Sequence, residues 1–140
     1  HYKVLQVVSH ALHMYDKKPR VWGYRNIWHR FTPGDATLFY PVNDQDFEAM
    51  DGAFMHCFAT QKQASFPSPD YDGPFSKLSV LILKEQYDVL RRVLGEDFFD
   101  GHTNEAIRNA RGFVFIKDLD TDDFFSCVAD LEGRVDLHDL

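Results

Sequence analysis

The sequence predicts an α+β fold, in which a mixed or mostly antiparallel sheet of about four strands packs against three to five helices. One observation is a change of apolar periodicity within residues 74–98, from a continuous run to helical spacing. A second is a set of short runs rich in β-branched and aromatic residues. A third is the length of 140 residues with 44% hydrophobic content, which suffices for one core. We expect one compact domain over residues 1–140, processed or cut from a longer chain because it starts with His1.

Residues 74–98 predict a strand that leads directly into a helix. The apolar run Leu78–Leu83 is rich in branched residues, which favours a strand covered on both faces of a sheet. From Leu83, apolar residues recur at spacings of four, three and four, which predicts a helix face turned to the core. Gly95 follows, where a helix C-terminus favours glycine. The predicted helix face consists of Leu83, Tyr87, Leu90 and Leu94.

Before residue 74 the patterns predict a helix, a hairpin of two strands, a second helix and a long loop. The hairpin turns at residues 32–35 (TPGD), and Pro41 places its second strand at a sheet edge. Asn43 or Asp44 can cap the second helix. The core-facing side of the first helix is predicted to consist of Val4, Leu5, Val8, Leu12 and Tyr15. The first helix covers residues 3–15, the two strands of the hairpin cover 20–31 and 36–42, the second helix covers 43–61 and the loop covers 62–76.

After residue 98 the patterns predict a short helix, a buried strand, a longer helix and a terminal edge strand. Thr103 is predicted to cap the short helix, and Thr121 or Asp122 the longer one. Gly133 is predicted to follow the end of the longer helix. The buried strand covers residues 113–117 and the edge strand residues 134–140. The core-facing side of the longer helix is predicted to consist of Phe124, Phe125, Val128 and Leu131.

Charge is distributed unevenly along the chain. Residues 1–30 hold six Lys or Arg and one acid, which gives them a net charge of +5. Because the formal net charge of the whole chain is −7, the remaining residues carry −12. A dense acidic end favours a basic partner and disfavours a nucleic-acid backbone or an anionic membrane. We therefore expect a non-enzymatic binding domain that recognises a protein, such as an inhibitor or immunity-type protein against a basic toxin or nuclease. The expected contacts are Asp118, Asp120, Asp122, Asp123 and Asp130, with Tyr71 and Asp72 as a second set.

An ordinary solvated acidic surface explains the same composition equally well. A third interpretation is a purely structural domain cut from a larger protein.

Residues 17–30 support an alternative function. They contain five cations and three aromatic residues but no acid, a composition that suits phosphate or base recognition. This alternative is a nucleotide-binding or nucleic-acid-binding domain, or an enzyme acting on a phosphorylated substrate. The competing interpretation is a hairpin whose cations meet water or the acids of the same protein. The residues of the alternative site are Arg20, Trp22, Arg25, Trp28, His29 and Arg30.

No pattern in the sequence indicates a catalytic group, a cofactor or a metal. His10 and His13 lie three residues apart, but the close pairs typical of zinc sites are missing. Cys57 and Cys127 lie among apolar residues, which predicts two buried free thiols and a cytoplasmic protein. No apolar run approaches the length of about 20 residues that spans a bilayer. The sequence predicts no oligomeric state.

Overall fold

The computed structural model describes residues 2–24, 31–64 and 71–136. Within these ranges the protein is α+β, as predicted, with six helices and a three-stranded antiparallel sheet. The sheet therefore has one strand fewer than predicted, and the helices exceed the predicted three to five. The helices are α1 (Tyr2–His13), α2 (Asp44–Cys57), α3 (Phe75–Leu94), α4 (Glu96–Asp100), α5 (Glu105–Arg108) and α6 (Thr121–Asp136). The strands are β1 (Val21–Tyr24), β2 (Leu38–Val42) and β3 (Gly112–Leu119).

Residue contacts divide the chain into two compact units. The terminal unit consists of His1–Gly23 and Lys117–Leu140, and the central unit consists of Tyr24–Ile116. The expectation of one domain over residues 1–140 stays a prediction.

The predicted strand Leu78–Leu83 is wrong, because these residues belong to the 20-residue helix α3. A short apolar run fits a buried strand or a buried helix equally well, and here the helix-forming sequence that follows extends the helix backwards. The helix ends as predicted at Gly95, whose φ is +84° and whose N–H donates to the carbonyl of Arg91 at 2.9 Å. The buried residues of α3 are Ser76, Leu78, Ile82, Leu83, Gln86 and Leu90.

The predicted hairpin of β1 with β2 is also wrong, because the strand order is β1-β3-β2. Strand β3 takes the centre since Phe113, Phe115 and Ile116 are all buried, as in a strand covered on both faces. Strand β2 pairs antiparallel with β3 and lies at an edge, as Pro41 predicts. The turn at residues 32–35 is present, but residues 25–30 of the predicted first strand lie outside the described ranges.

The core of the central unit brings β3 against α3 and α2. Asn43 caps α2 as predicted, through a reciprocal pair of hydrogen bonds with Asp46. Gly112 fits where a side chain would not, because a Cβ there would lie 2.7 Å from Phe47 Cζ and 3.1 Å from Leu83 Cβ. The buried residues of the unit's two core clusters are Val42, Phe47, Leu83, Leu90, Phe99, Ala110, Phe113 and Phe115.

Three helix boundaries differ from the predictions. Asn104 rather than Thr103 caps α5. The carboxylate of Asp120 accepts from the Asp123 N–H at 2.8 Å, so α6 is capped one residue earlier than predicted. Gly133 lies inside α6 because the surrounding residues keep helical spacing, so the helix continues to Asp136 in place of the predicted edge strand. Residues 137–140 lie outside the described ranges.

Candidate functional site

Helices α1 and α6 form the scaffold of the terminal unit. The Gln6 amide donates to the Glu132 carboxylate at 3.0 Å, and the His13 ring stacks on the Phe125 ring with centroids 3.6 Å apart. Because residue numbers rise along α1 while those of their partners fall along α6, the two helices run antiparallel. Ser9 is buried on α1, and Phe124 and Val128 are buried on α6 as predicted, whereas Leu131 is exposed.

The basic and acidic segments of the sequence meet inside this unit. Lys18 Nζ lies 2.8 Å from the carboxylate of Asp122. Arg20 donates two hydrogen bonds to Asp118, at 3.0 Å and 2.8 Å, in the bidentate geometry that suits a guanidinium. The hydrogen bonds from Arg20, with a further one from Trp22, hold the pKa of Asp118 below its ordinary value. The same bonds raise the pKa of Arg20.

These pairs change what the predicted contact residues offer to a partner. Asp118 and Asp122 were predicted to meet a protein, and Arg20 to meet a phosphate, but each faces an opposite charge of its own chain. Asp120 caps α6. Trp22 remains 62% exposed on β1. The residues Arg25, Trp28, His29 and Arg30 lie outside the described ranges.

The second predicted contact set lies in the central unit. The Tyr71 hydroxyl donates to the carbonyl of Pro74 at 2.7 Å, and its ring is half-buried. Asp72 is exposed. These two residues therefore stay candidates for a contact separate from that of the terminal unit.

Asp123 and Asp130 keep exposed carboxylates that form no ion pair with any residue in the described part of the chain. They lie seven residues apart on α6 and so share one face of the helix. We call these two residues the acidic ridge. Cys127 lies between them and is exposed.

Helix α1 carries an apolar face that the sequence analysis misplaced. Val4, Val8 and Tyr15 were predicted to turn inward but are exposed, whereas Leu5 and Leu12 are half-buried. The spacing of a second set of apolar residues could have shown that α1 has two apolar faces, but not which one is buried. We call the exposed set the apolar stripe: Val4, Val7, Val8, Ala11, Met14 and Tyr15.

The predicted burial of both thiols is wrong, since Cys57 and Cys127 are free and exposed. Cys57 is the last residue of α2, and Cys127 lies on the face of α6 that turns away from its buried residues. Among the described residues, no group of three or more His, Cys, Asp or Glu could hold a metal ion.

Comparison with known proteins gives no relative: no family model, curated protein or solved structure matches the chain. Within the described ranges, no helix combines the length and the apolar character needed to cross a bilayer.

Proposed function

We propose that this protein is a non-enzymatic binding module whose terminal unit docks a basic amphipathic segment of a partner protein. The apolar stripe of α1 carries this proposal. Val4, Val7 and Met14 are 66%, 69% and 76% exposed, so each leaves most of its side chain in water. Exposed apolar residues are common singly, but a contiguous set along one helix face is typical of an interaction site.

The charge of α6 favours one kind of occupant. Asp123 and Asp130 each precede by two residues, about 200° of helix rotation, the α6 residues that contact α1 (Phe125 and Glu132), so the acidic ridge lies on the side of α6 away from α1. A basic amphipathic segment can pack its apolar side chains on α1, while the negative charge of α6 attracts its Lys and Arg without direct contact. Lys3 and His10 are also exposed on α1, between the apolar stripe and the residues that contact α6.

An inhibitor or immunity-type role is a narrower form of the same proposal. A basic toxin or nuclease would supply the cations. The net charge of −7 on this chain would attract such a partner and speed its association. What supports this form is the charge of the chain and the two exposed carboxylates of the acidic ridge.

The alternative function in nucleotide or nucleic-acid binding has weaker support. Two cations of the basic segment, Lys18 and Arg20, already face Asp122 and Asp118. A phosphate would have to displace these carboxylates and would also meet Asp120 and Asp123 nearby. It therefore stands as a second proposal, for which an exposed Trp22 is the supporting observation.

The test uses a synthetic helical peptide of Leu and Lys, with a Leu and Glu peptide as the charge-reversed ligand. We expect the Lys peptide to bind the wild type and the Glu peptide not to bind. The double variant Val7→Ser/Met14→Ser should weaken binding of the Lys peptide about tenfold or more, since two apolar contacts are lost. The variant Asp123→Asn/Asp130→Asn should weaken it about threefold to tenfold. Calorimetry or fluorescence anisotropy gives these affinities.

Matched control variants in the central unit test whether a loss of peptide binding is specific to the apolar stripe and the acidic ridge. Val93 is 67% exposed on α3, so Val93→Ser removes an exposed apolar side chain of the central unit. Asp97→Asn/Asp100→Asn removes two exposed acids of α4. Both controls should bind the Lys peptide like the wild type. The proposal fails if the Lys peptide binds the stripe and ridge variants unchanged, or if Val7→Ser/Met14→Ser converts a wild-type dimer into a monomer in ultracentrifugation.

A further inference from the structure

A pocket of about 420 Å³ opens in the central unit beside α3. Its apolar walls come from Phe31, Pro33, Val89 and Phe115. Phe115 is only 2% exposed and belongs to the core cluster, so it offers a ligand almost no surface. Small-molecule sites are typically of about this size, with mainly apolar walls and a few polar groups that orient the ligand.

Gln86 supplies the polar group inside this pocket. Its side chain lines the pocket and is 5% exposed, yet it makes no hydrogen bond to any residue within the described ranges. The amide nitrogen and oxygen of Gln86 are not fully enclosed by protein, so they remain accessible to a molecule in the pocket. The carboxamide of Gln86 therefore offers a donor and an acceptor side by side to a bound molecule.

The charges around the pocket argue against an anionic ligand. Glu85 and Asp88 place two carboxylates on its lining, against the single guanidinium of Arg92. Arg92 also donates to the carbonyl of Asp88 at 3.3 Å. The hydroxyl of Thr32 is bonded to Asp35 at 2.8 Å. A phosphate or carboxylate would meet more negative than positive charge, so a neutral ligand fits best.

We infer that this pocket binds a neutral, planar nitrogen heterocycle that carries an adjacent hydrogen-bond donor and acceptor, the chemistry of a nucleobase. The flat ring would contact the half-buried aromatic side chain of Phe31. Its edge would pair with the carboxamide of Gln86, as a glutamine amide pairs with the donor and acceptor edge of adenine. This site is distinct from the apolar stripe and does not depend on the proposed partner.

The probes for this inference are adenine and N6,N6-dimethyladenine, titrated into the wild type and into Gln86→Leu. Dimethylation removes the donor of the adenine edge and leaves the ring. We expect the wild type to bind adenine saturably and to prefer it about tenfold over the dimethyl compound. The variant Gln86→Leu should lose about tenfold in affinity for adenine and no longer distinguish the two compounds. Gln45 is exposed on α2, so Gln45→Leu is the matched control and should behave like the wild type.

A second measurement does not depend on the folding of the variant. In wild-type NMR spectra, adenine should shift the side-chain amide resonances of Gln86 and the backbone amide of Val89. The inference is overturned if adenine gives no saturable shift of these resonances, or if Gln86→Leu retains the wild-type preference for adenine.

Discussion

At the residue scale, the pair of Arg20 with Asp118 shows what two residues far apart in the sequence do in the fold. The bidentate hydrogen bonds from Arg20 favour the charged form of Asp118 and lower its pKa below the ordinary value of 3.8. A carboxylate with a lower pKa in the folded state contributes stability above its unfolded pKa. That contribution is lost as the pH falls through the lower native value.

We expect Arg20→Gln to raise the pKa of Asp118 toward 3.8, because the largest cause of the downward shift is removed. An NMR titration of the side-chain carboxyl carbon measures this. The variant should also show a smaller loss of stability than the wild type between neutral pH and pH values below 3.8.

A comparable pair provides the control for this titration. Lys77 Nζ lies 2.7 Å from the Asp51 carboxylate and, with Ser76, lowers the pKa of Asp51. We expect Lys77→Gln to raise the pKa of Asp51 and to leave that of Asp118 unchanged. An unchanged Asp118 pKa in Arg20→Gln would contradict the assignment of this ion pair.

A second residue-scale prediction concerns Gly112 at the start of β3. An added Cβ would lie 2.7 Å from the Phe47 ring and 3.1 Å from Leu83. We expect Gly112→Ala to lower the free energy of unfolding by about 1–3 kcal/mol through overpacking. Denaturant unfolding measures this change. The double variant Gly112→Ala/Phe47→Leu should recover part of the loss if the clash with the ring is its cause.

At the element scale, α3 shows how a helix replaces a predicted strand. Leu90 is 6% exposed and belongs to the core cluster with Phe99 and Phe113. Leu94 was predicted on the same buried face but is 47% exposed. The helical pattern therefore located the face correctly and extended it one turn too far.

We expect Leu90→Ala to lower the free energy of unfolding by about 2–5 kcal/mol, because it leaves a cavity in the core. Leu94→Ala should change it by about 0.5 kcal/mol or less, as an exposed substitution does. Equal losses from the two variants, measured by denaturant unfolding, would contradict the burial pattern of α3.

The glycines of α3 and α6 give a second prediction at this scale. Gly95 ends α3 at φ +84°, where an L side chain is strained, so Gly95→Ala should destabilise by about 1 kcal/mol. Gly133 lies inside α6 with open space around an added Cβ, so Gly133→Ala should stabilise by about 0.5–1 kcal/mol. Thermal unfolding of the two variants gives opposite shifts if both assignments hold. A stabilising Gly95→Ala would contradict the C-terminal cap.

At the scale of the whole molecule, the charge of the chain bears on the proposed function. The net charge is −7, but the described structure leaves only part of the acidic end available, because Asp118 and Asp122 face cations of the same chain. Among the described side chains of α6, the acidic ridge supplies two exposed carboxylates to a partner. The electrostatic part of peptide binding should then come from Asp123 and Asp130.

We expect binding of the Lys peptide to weaken as the ionic strength rises from about 0.01 M to about 1 M, over which the Debye length falls from about 30 Å to about 3 Å. The variant Asp123→Asn/Asp130→Asn should show a much smaller dependence on salt, because its remaining binding comes from apolar contacts. Calorimetry at several salt concentrations measures both. Equal salt slopes for wild type and variant would place the interacting acids elsewhere.

The candidate site was predictable only in part. The composition of residues 118–130 draws attention to α6, and Asp123 and Asp130 stay in the proposed site. The apolar stripe was missed because α1 is apolar on two faces, and periodicity does not tell which face a neighbouring helix covers. The packing of α6 on α1 decides this.

The sequence by itself determined the α+β class, the turn at residues 32–35, and the ends of two helices at Asn43 and Gly95. These features depend on hydrogen bonds and backbone angles within a few residues, so a local pattern is enough. Only the tertiary structure decided the strand order, the helical state of Leu78–Leu83 and the pairing of Arg20 with Asp118. The physical reason is that each of these depends on what a segment packs against. Contacts between residues about a hundred positions apart leave no trace in local periodicity.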